Sequence, residues 1–168
     1  MLTALVVFFP LVFLLALAAS WDLASYTIPN FIPVAVLLAF MLFALFSHQN
    51  AAFFEAHALA TLIGLLAGFV LFALGYIGGG DAKLFASAAA WFGMHDLMTY
   101  VLAASLLGGV LTLALLSVRR FPLPAALAGR AWIARLHEPR GGIPYGVALA
   151  AGGIAILPYT DLFRTVSG

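Results

Sequence analysis

Charged side chains punctuate this chain sparsely, and the intervals between them set its organisation. Six stretches carry no Asp, Glu, Lys or Arg: 1–21, 23–54, 56–80, 84–95, 97–118 and 141–160. A membrane-spanning helix needs about 20 mostly apolar residues, within a range of about 17–25. Five of the stretches are long enough. In the second, Pro29 interrupts the helical pattern, so its span is expected over 31–47. The fourth is short and taken alone also suits a re-entrant segment or a buried half-span.

The positions of the cations decide how the fourth stretch is read. With six spans and the N-terminus outside, one face holds Lys83, Arg119, Arg120, Arg130, Arg135 and Arg140. The opposite loops and the C-terminal tail hold only Arg164. Cytoplasmic loops carry the excess of Lys and Arg, so the first face is expected in the cytoplasm. Without a crossing at 84–95, the Arg-rich loop and Lys83 would lie on opposite faces. The pattern therefore predicts an all-α, polytopic membrane protein with six transmembrane helices, the fourth short. Residues 1–20 are read as a span and not as a cleaved signal peptide. Ala16, Leu17 and Ala18 imitate a cleavage site, but no Lys or Arg precedes the apolar run.

Composition narrows the function classes. The 168 residues are 65% hydrophobic and 8% charged, against about 45–50% apolar and about 25% charged in soluble domains. Such a chain cannot cover itself with polar surface, so a soluble or disordered domain is excluded. A net charge of +1 gives no case for nucleic acid as a partner. With no cysteine there is no disulfide framework, thiol nucleophile or Cys-based zinc site. The expectation is one membrane-embedded domain over 1–168, with the lipid bilayer as its solvent and a cytoplasmic Arg-rich loop at 119–140.

Small residues mark places of close helix packing. Gly64 and Gly68 form one GxxxG pair, Gly75 and Gly79 another at the end of the same span, and 86–90 is a run of small residues. In the Arg-rich loop, Pro122 and Pro124 break the chain, and 125–136 is expected as a short interfacial helix. That loop reads as a topological anchor, with His137 and Glu138 as ordinary polar members. On the other face, His48, Glu55, His57, His95 and Asp96 read as solvated loop residues, and Asp161 and Arg164 as interfacial ones. No HExxH-type pattern occurs, and no metal site is expected.

Two aspartates stand apart. Asp22 ends the first span ahead of Pro29 and Asn30. Asp81 follows the third span in Gly78-Gly79-Gly80-Asp81-Ala82-Lys83-Leu84. The topology places both at one membrane face, where ionisable residues are functional candidates by default. The bland alternatives are an interfacial helix-end charge for Asp22 and an N-cap, on a helix starting near Leu84, for Asp81.

These motifs resemble those of the aspartic prepilin peptidase family, polytopic membrane proteases of the GxGD type. Its GxGDxKL motif is matched by Gly78, Gly80, Asp81, Lys83 and Leu84. Its first motif, an Asp separated by six residues from Pro-Asn or Pro-Asp, is matched by Asp22, Pro29 and Asn30, with Ile28 in the usual apolar place. A third pattern is matched by Pro144, Tyr145, Gly146 and the small residues up to Gly153. Thr27 stands where many members carry a basic residue. The family's larger, two-activity members have an extra cytoplasmic region with four zinc-binding cysteines. This chain has none, so it resembles the short, cleavage-only kind that serves tight-adherence (Flp-type) pili.

The resemblance implies an aspartic endopeptidase, without metal or organic cofactor, with Asp22 and Asp81 as catalytic residues. It implies a prepilin substrate, with a hydrophilic leader and an apolar helix, cut on the cytoplasmic side of the inner membrane. Two close carboxylates share a proton and act as a unit. Asp22 lies at a helix C-terminus and Asp81 at a helix N-terminus beside Lys83, so Asp81 is expected as the base and Asp22 as the acid. The alternatives are a small ion-coupled transporter using the two aspartates as ligands, a silent assembly factor, and an archaeal preflagellin peptidase.

Overall fold

The computed structural model describes residues 2–47, 49–139 and 141–167. His48 and Arg140, which entered the reading of the two faces, lie outside the described residues. Among the described residues all regular structure is helical: α1 (Leu2–Ser25), α2 (Phe31–Phe46), α3 (Ala51–Ala73), α4 (Gly79–Val118), α5 (Ala125–Ala128), α6 (Ala131–His137), α7 (Tyr145–Ile156) and α8 (Asp161–Ser167), with a 3₁₀ turn at Leu157–Tyr159 between the last two.

Three helices are long and apolar enough to cross a bilayer: Val6–Ser25, Ala51–Ala73 and Gly79–Val118. A fourth span is obtained if α7 with its 3₁₀ turn and α8, bent by 49° at their junction, count as one. α2 follows the expected second span closely but has only 16 residues. The expected fourth and fifth spans follow each other without an intervening loop in α4.

α4 is nevertheless two arms. Gly93 has φ 61° and ψ −177° inside it, a backbone region open essentially to glycine alone. The chain reverses there. Phe85 and Tyr100 stack with ring centroids 5.6 Å apart, whereas fifteen residues of straight helix would separate them by about 22 Å. The reversal brings Leu97 into one cluster with Ala89 and Ala60, and Val101 against the same cluster beside Phe85.

The first arm, 79–92, is the buried centre of the fold. From Leu84 to Phe92 only Phe85 is more than marginally exposed. α3 lies antiparallel on it through the glycines expected to pack. A Cβ on Gly64 would meet Ala89 and Ala86 at 3.1 and 3.3 Å, and one on Gly68 would meet Ala82 at 3.1 Å. Where apolar side chains gain nothing by leaving lipid, such close approach is what joins two helices. α2 is tied to the same arm by the Trp91 indole, which donates to the Val36 carbonyl at 3.0 Å. The second arm, 94–118, packs antiparallel on α7, and a Cβ on Gly152 would meet the Ala104 backbone at 2.8 Å. The second expected glycine pair is not a packing pair: α3 ends at Ala73, Gly75 sits in the following turn at φ 77°, and Gly79 opens α4.

α1 is apolar all round, yet it buries one stripe: Phe8, Leu11, Leu15, Ala18 and then Asp22. Their spacing of three and four places all five on one helical face. Asp22 therefore points inward, as a continuation of the core stripe. At the far end of the bundle the stripe meets an aromatic cluster, in which the Phe8, Phe40 and Phe43 rings lie 5.7–5.9 Å from Trp91.

That far end corrects two readings. His57 and Asp96 are buried, not solvated. His57 belongs to α3, and its Nδ1 is 2.6 Å from the Ala90 carbonyl. Asp96 accepts a hydrogen bond from the Asp161 amide at 3.1 Å, at the start of α8. His95 bridges the Asp96 and Asp161 carboxylates at 3.3 and 3.1 Å.

The reversal makes a direct prediction. A Cβ on Gly93 would lie 2.9 Å from the His57 ring, on top of the positive φ. Gly93→Ala should destabilise the protein by about 1–3 kcal/mol from the backbone alone. A denaturation titration in detergent checks it, and an unchanged midpoint would refute a reversal locked by glycine.

Candidate active site

The end of the bundle opposite the aromatic cluster gathers the three motifs. Asp22 stands in the last turn of α1, and Asp81 in the first turn of α4. The helix begins at Gly79, earlier than expected. Asp81 is thus not its N-cap but its third residue, and its Oδ2 accepts from the Gly78 amide at 3.0 Å. The glycines ahead of it have a steric reason. A Cβ on Gly80 would meet Cβ, O and N of Ile28 at 3.0–3.2 Å. Only glycine lets the 26–30 connection lie directly on the start of α4.

The third motif closes the site. Pro144 is fully buried, and α7 starts behind it, so the Gly146 amide is one of the unpaired donors of the helix's first turn. It donates to Asp22 Oδ2 at 2.7 Å. The same amide lies within electrostatic reach of Asp81, and the two carboxylates feel each other's charge. Gly146 is also a contact point, since a Cβ there would meet Ile28 Cδ1 at 2.6 Å and Asp22 Oδ2 at 2.9 Å. Both aspartates are buried. Asp81 Oδ1 has no hydrogen-bond partner. A buried carboxylate oxygen without a donor is uncommon and draws attention to what it could engage.

Lys83 joins the first two motifs. Its ammonium donates to Asn30 Oδ1 at 2.8 Å, at the exposed start of α2. Tyr145 is half-buried beside α4. The structure thus gathers Asp22, Pro29, Asn30, Gly78, Gly80, Asp81, Lys83, Pro144, Tyr145 and Gly146 at one end. Among the described residues, no three His, Asp or Glu side chains converge in an arrangement suited to a metal ion.

The Arg-rich loop does more than anchor. Its expected helix is two short ones, α5 and α6, broken at Gly129 and Arg130. Arg119 gathers the loop. Its guanidinium donates to the carbonyls of Leu136, Gly141 and Gly142 at 2.8–2.9 Å and approaches the Tyr26 hydroxyl at 3.5 Å. Arg135 donates to the Ala24 carbonyl at the end of α1 at 2.9 Å. Tyr26, the one described non-glycine residue with positive φ, 55°, turns the chain out of α1, and its amide donates back to the Asp22 carbonyl at 2.7 Å. Arg119 thus fixes the segment leading into Pro144 and Gly146. Sequence reading missed this role because its partners are backbone carbonyls, which leave no residue pattern.

These features define an all-helical membrane protein with two buried carboxylates at one end of its bundle. The chain belongs to the type IV leader peptidase family, whose family model matches residues 9–113. Comparison with curated proteins and with solved structures gives no match. The family is one of peptidases, hydrolases of peptide bonds, and it implies a prepilin substrate and a membrane setting. The matched region includes both aspartates, Pro29, Asn30 and Lys83; the Pro144–Gly146 segment lies beyond it.

Arg119→Ala removes three charge-assisted hydrogen bonds from the loop. The variant should be cut by trypsin at Arg130 and Arg135 several-fold faster than wild type under native conditions, because local opening exposes a loop to proteases. Equal digestion rates would show that the loop is held by other contacts.

Proposed function

We propose that this protein is an aspartic endopeptidase that removes the hydrophilic leader from type IV, Flp-like prepilins at the cytoplasmic face of the inner membrane. The observation that carries the reading is the meeting of Asp22 and Asp81, from motifs far apart in the chain, around the Gly146 amide. Two close carboxylates, water and an extended peptide bond are sufficient for the reaction. Asp81, with one oxygen unpartnered, takes a proton from water as the oxygen attacks the scissile carbonyl. Asp22, protonated, donates to the carbonyl oxygen. As the tetrahedral gem-diol collapses, Asp81 passes its proton to the departing amine and Asp22 takes back a hydroxyl proton, which restores the pair in the manner of paired carboxylates in aspartic proteases. The Gly146 amide holds Asp22 in place. No metal or organic cofactor takes part.

The same reading gives the topology. The reversal at Gly93 supports six passes: α1, α2, α3, the two arms of α4, and α7. With the N-terminus outside, the aspartate end faces the cytoplasm together with Lys83, Arg119 and Arg135, which the structure places at that end. The whole chain serves as one peptidase domain.

Cleavage of a prepilin in liposomes tests the proposal. Asp22→Asn and Asp81→Asn should each lower the rate by at least about a thousandfold, as expected when members of a catalytic pair act as a unit. A chelator should leave the wild type unaffected. Retained cleavage in both variants would remove the two-carboxylate mechanism, and ion flux without cleavage would replace it with a transporter.

A further inference from the structure

Beside the aspartates, an apolar groove of about 600 Å³ opens between the end of α3, the second arm of α4 and α7. Leu71, Ile77, Phe85, Gly109, Tyr145 and Leu149 are among its lining residues. One end of it adjoins the candidate active site through the chain itself. Ile77 precedes Gly78, whose amide holds Asp81, and Tyr145 precedes Gly146, whose amide holds Asp22. An occupant of this groove is thereby led towards both carboxylates.

Gly109 supplies an independent observation. A glycine inside a helix is destabilising relative to alanine and calls for a reason. Its neighbour Gly108 has one, since a Cβ there would touch Ala148 and Tyr145. Among the described residues Gly109 is the one helical glycine at which a Cβ would meet nothing within 4 Å. It faces open groove. Small residues at such a place let a second backbone approach closely.

We infer that this groove holds the apolar helical segment that follows the leader in the substrate, packed against the Gly109 face, with the scissile bond delivered to the two aspartates. The inference rests on the peptidase reading above. Charge argues against a phospholipid as the resident. Among the described residues no Lys or Arg lines the groove, and the chain segments at one end of it lead directly into those that hold the two carboxylates, a poor setting for a phosphate head. Lys83 lines a different groove, with Asn30, Leu37 and Leu65, and Leu62 lines the groove next to that one, between α2 and α3.

Because the chain has no cysteine, single-cysteine labelling tests this cleanly. Gly109→Cys and Leu62→Cys would each carry a benzophenone probe, in an Asp81→Asn background that retains uncleaved prepilin in liposomes. Gly109→Cys should crosslink to the apolar segment of the prepilin, and Leu62→Cys should not. In otherwise wild-type protein, Gly109→Trp should raise KM for prepilin about tenfold with kcat little changed, the sign of a lost binding contact. Crosslinking to lipid alone, or to prepilin from Leu62→Cys alone, would overturn the groove assignment. So would an unchanged KM in a Gly109→Trp variant that unfolds like wild type. Wild-type cleavage of prepilin is the control: its absence would sink the peptidase reading and this one together, whereas cleavage without the Gly109 contact sinks the groove alone.

Discussion

The hydrogen bond from the Gly146 amide to Asp22 is the constraint around which this bundle is built. It joins the end of the first helix to the start of the seventh across 124 residues of sequence. A hydrogen bond from a backbone amide to a buried carboxyl group spares both partners the cost of being left unpaired away from water. An unpaired carboxylate at this depth would be costly. The amide satisfies one oxygen of Asp22 while standing close to Asp81, whose Oδ2 is held in turn by the Gly78 amide, so two backbone groups fix two acidic side chains that would otherwise repel each other.

Such closeness requires that very little else occupy the space. Ile28 lies against both Gly80 and Gly146, at distances that leave no room for a Cβ on either. The central arm of α4 is lined with Ala82, Ala86, Ala88, Ala89 and Ala90, all buried. α3 reaches it through Gly64 and Gly68, so its backbone can pass close by. Had those positions carried larger side chains, the first arm of α4 could not sit at the centre of the bundle. Asp81 at its start would then lie away from Asp22. The small residues of the sequence are therefore part of the site, although among those described only Gly78 and Gly146 hold a carboxylate through their amides.

How much of this was legible beforehand follows from where the signals lie. Pro29 announces the start of α2 because proline restricts the backbone wherever it stands. Asp22, Asp81, Lys83 and Asn30 were legible as motif residues, and the charge-free intervals showed that the two aspartates belong to one end. Gly93 was not legible as a reversal. It is one of sixteen glycines, and only its backbone angles and the crowding by His57 distinguish it. The face that α1 buries was equally hidden, since a helix apolar on every side has no stripe to read. His57 and Asp96 were read as solvated because charge-free intervals assign polar residues to loops. His57 instead extends the inner face of α3, in line with Ala60 and Gly64, and Asp96 ties α8 to the bundle.

The loop between α4 and α7 shows why charge counting understates an arginine. Counting treats Arg119 and Arg135 as votes for a cytoplasmic face, in which any cation would serve. In the fold they are donors with specific acceptors. A guanidinium can reach three carbonyls at once because its donors form a rigid planar fork, which an ammonium lacks. Arg119 uses that geometry to hold Leu136, Gly141 and Gly142, and Arg135 covers a carbonyl left open at the end of α1. One arginine thus fixes the approach to Gly146 and the other the exit from Asp22. The same cations that a charge count uses to tell one face from the other thus frame the peptide group that holds Asp22.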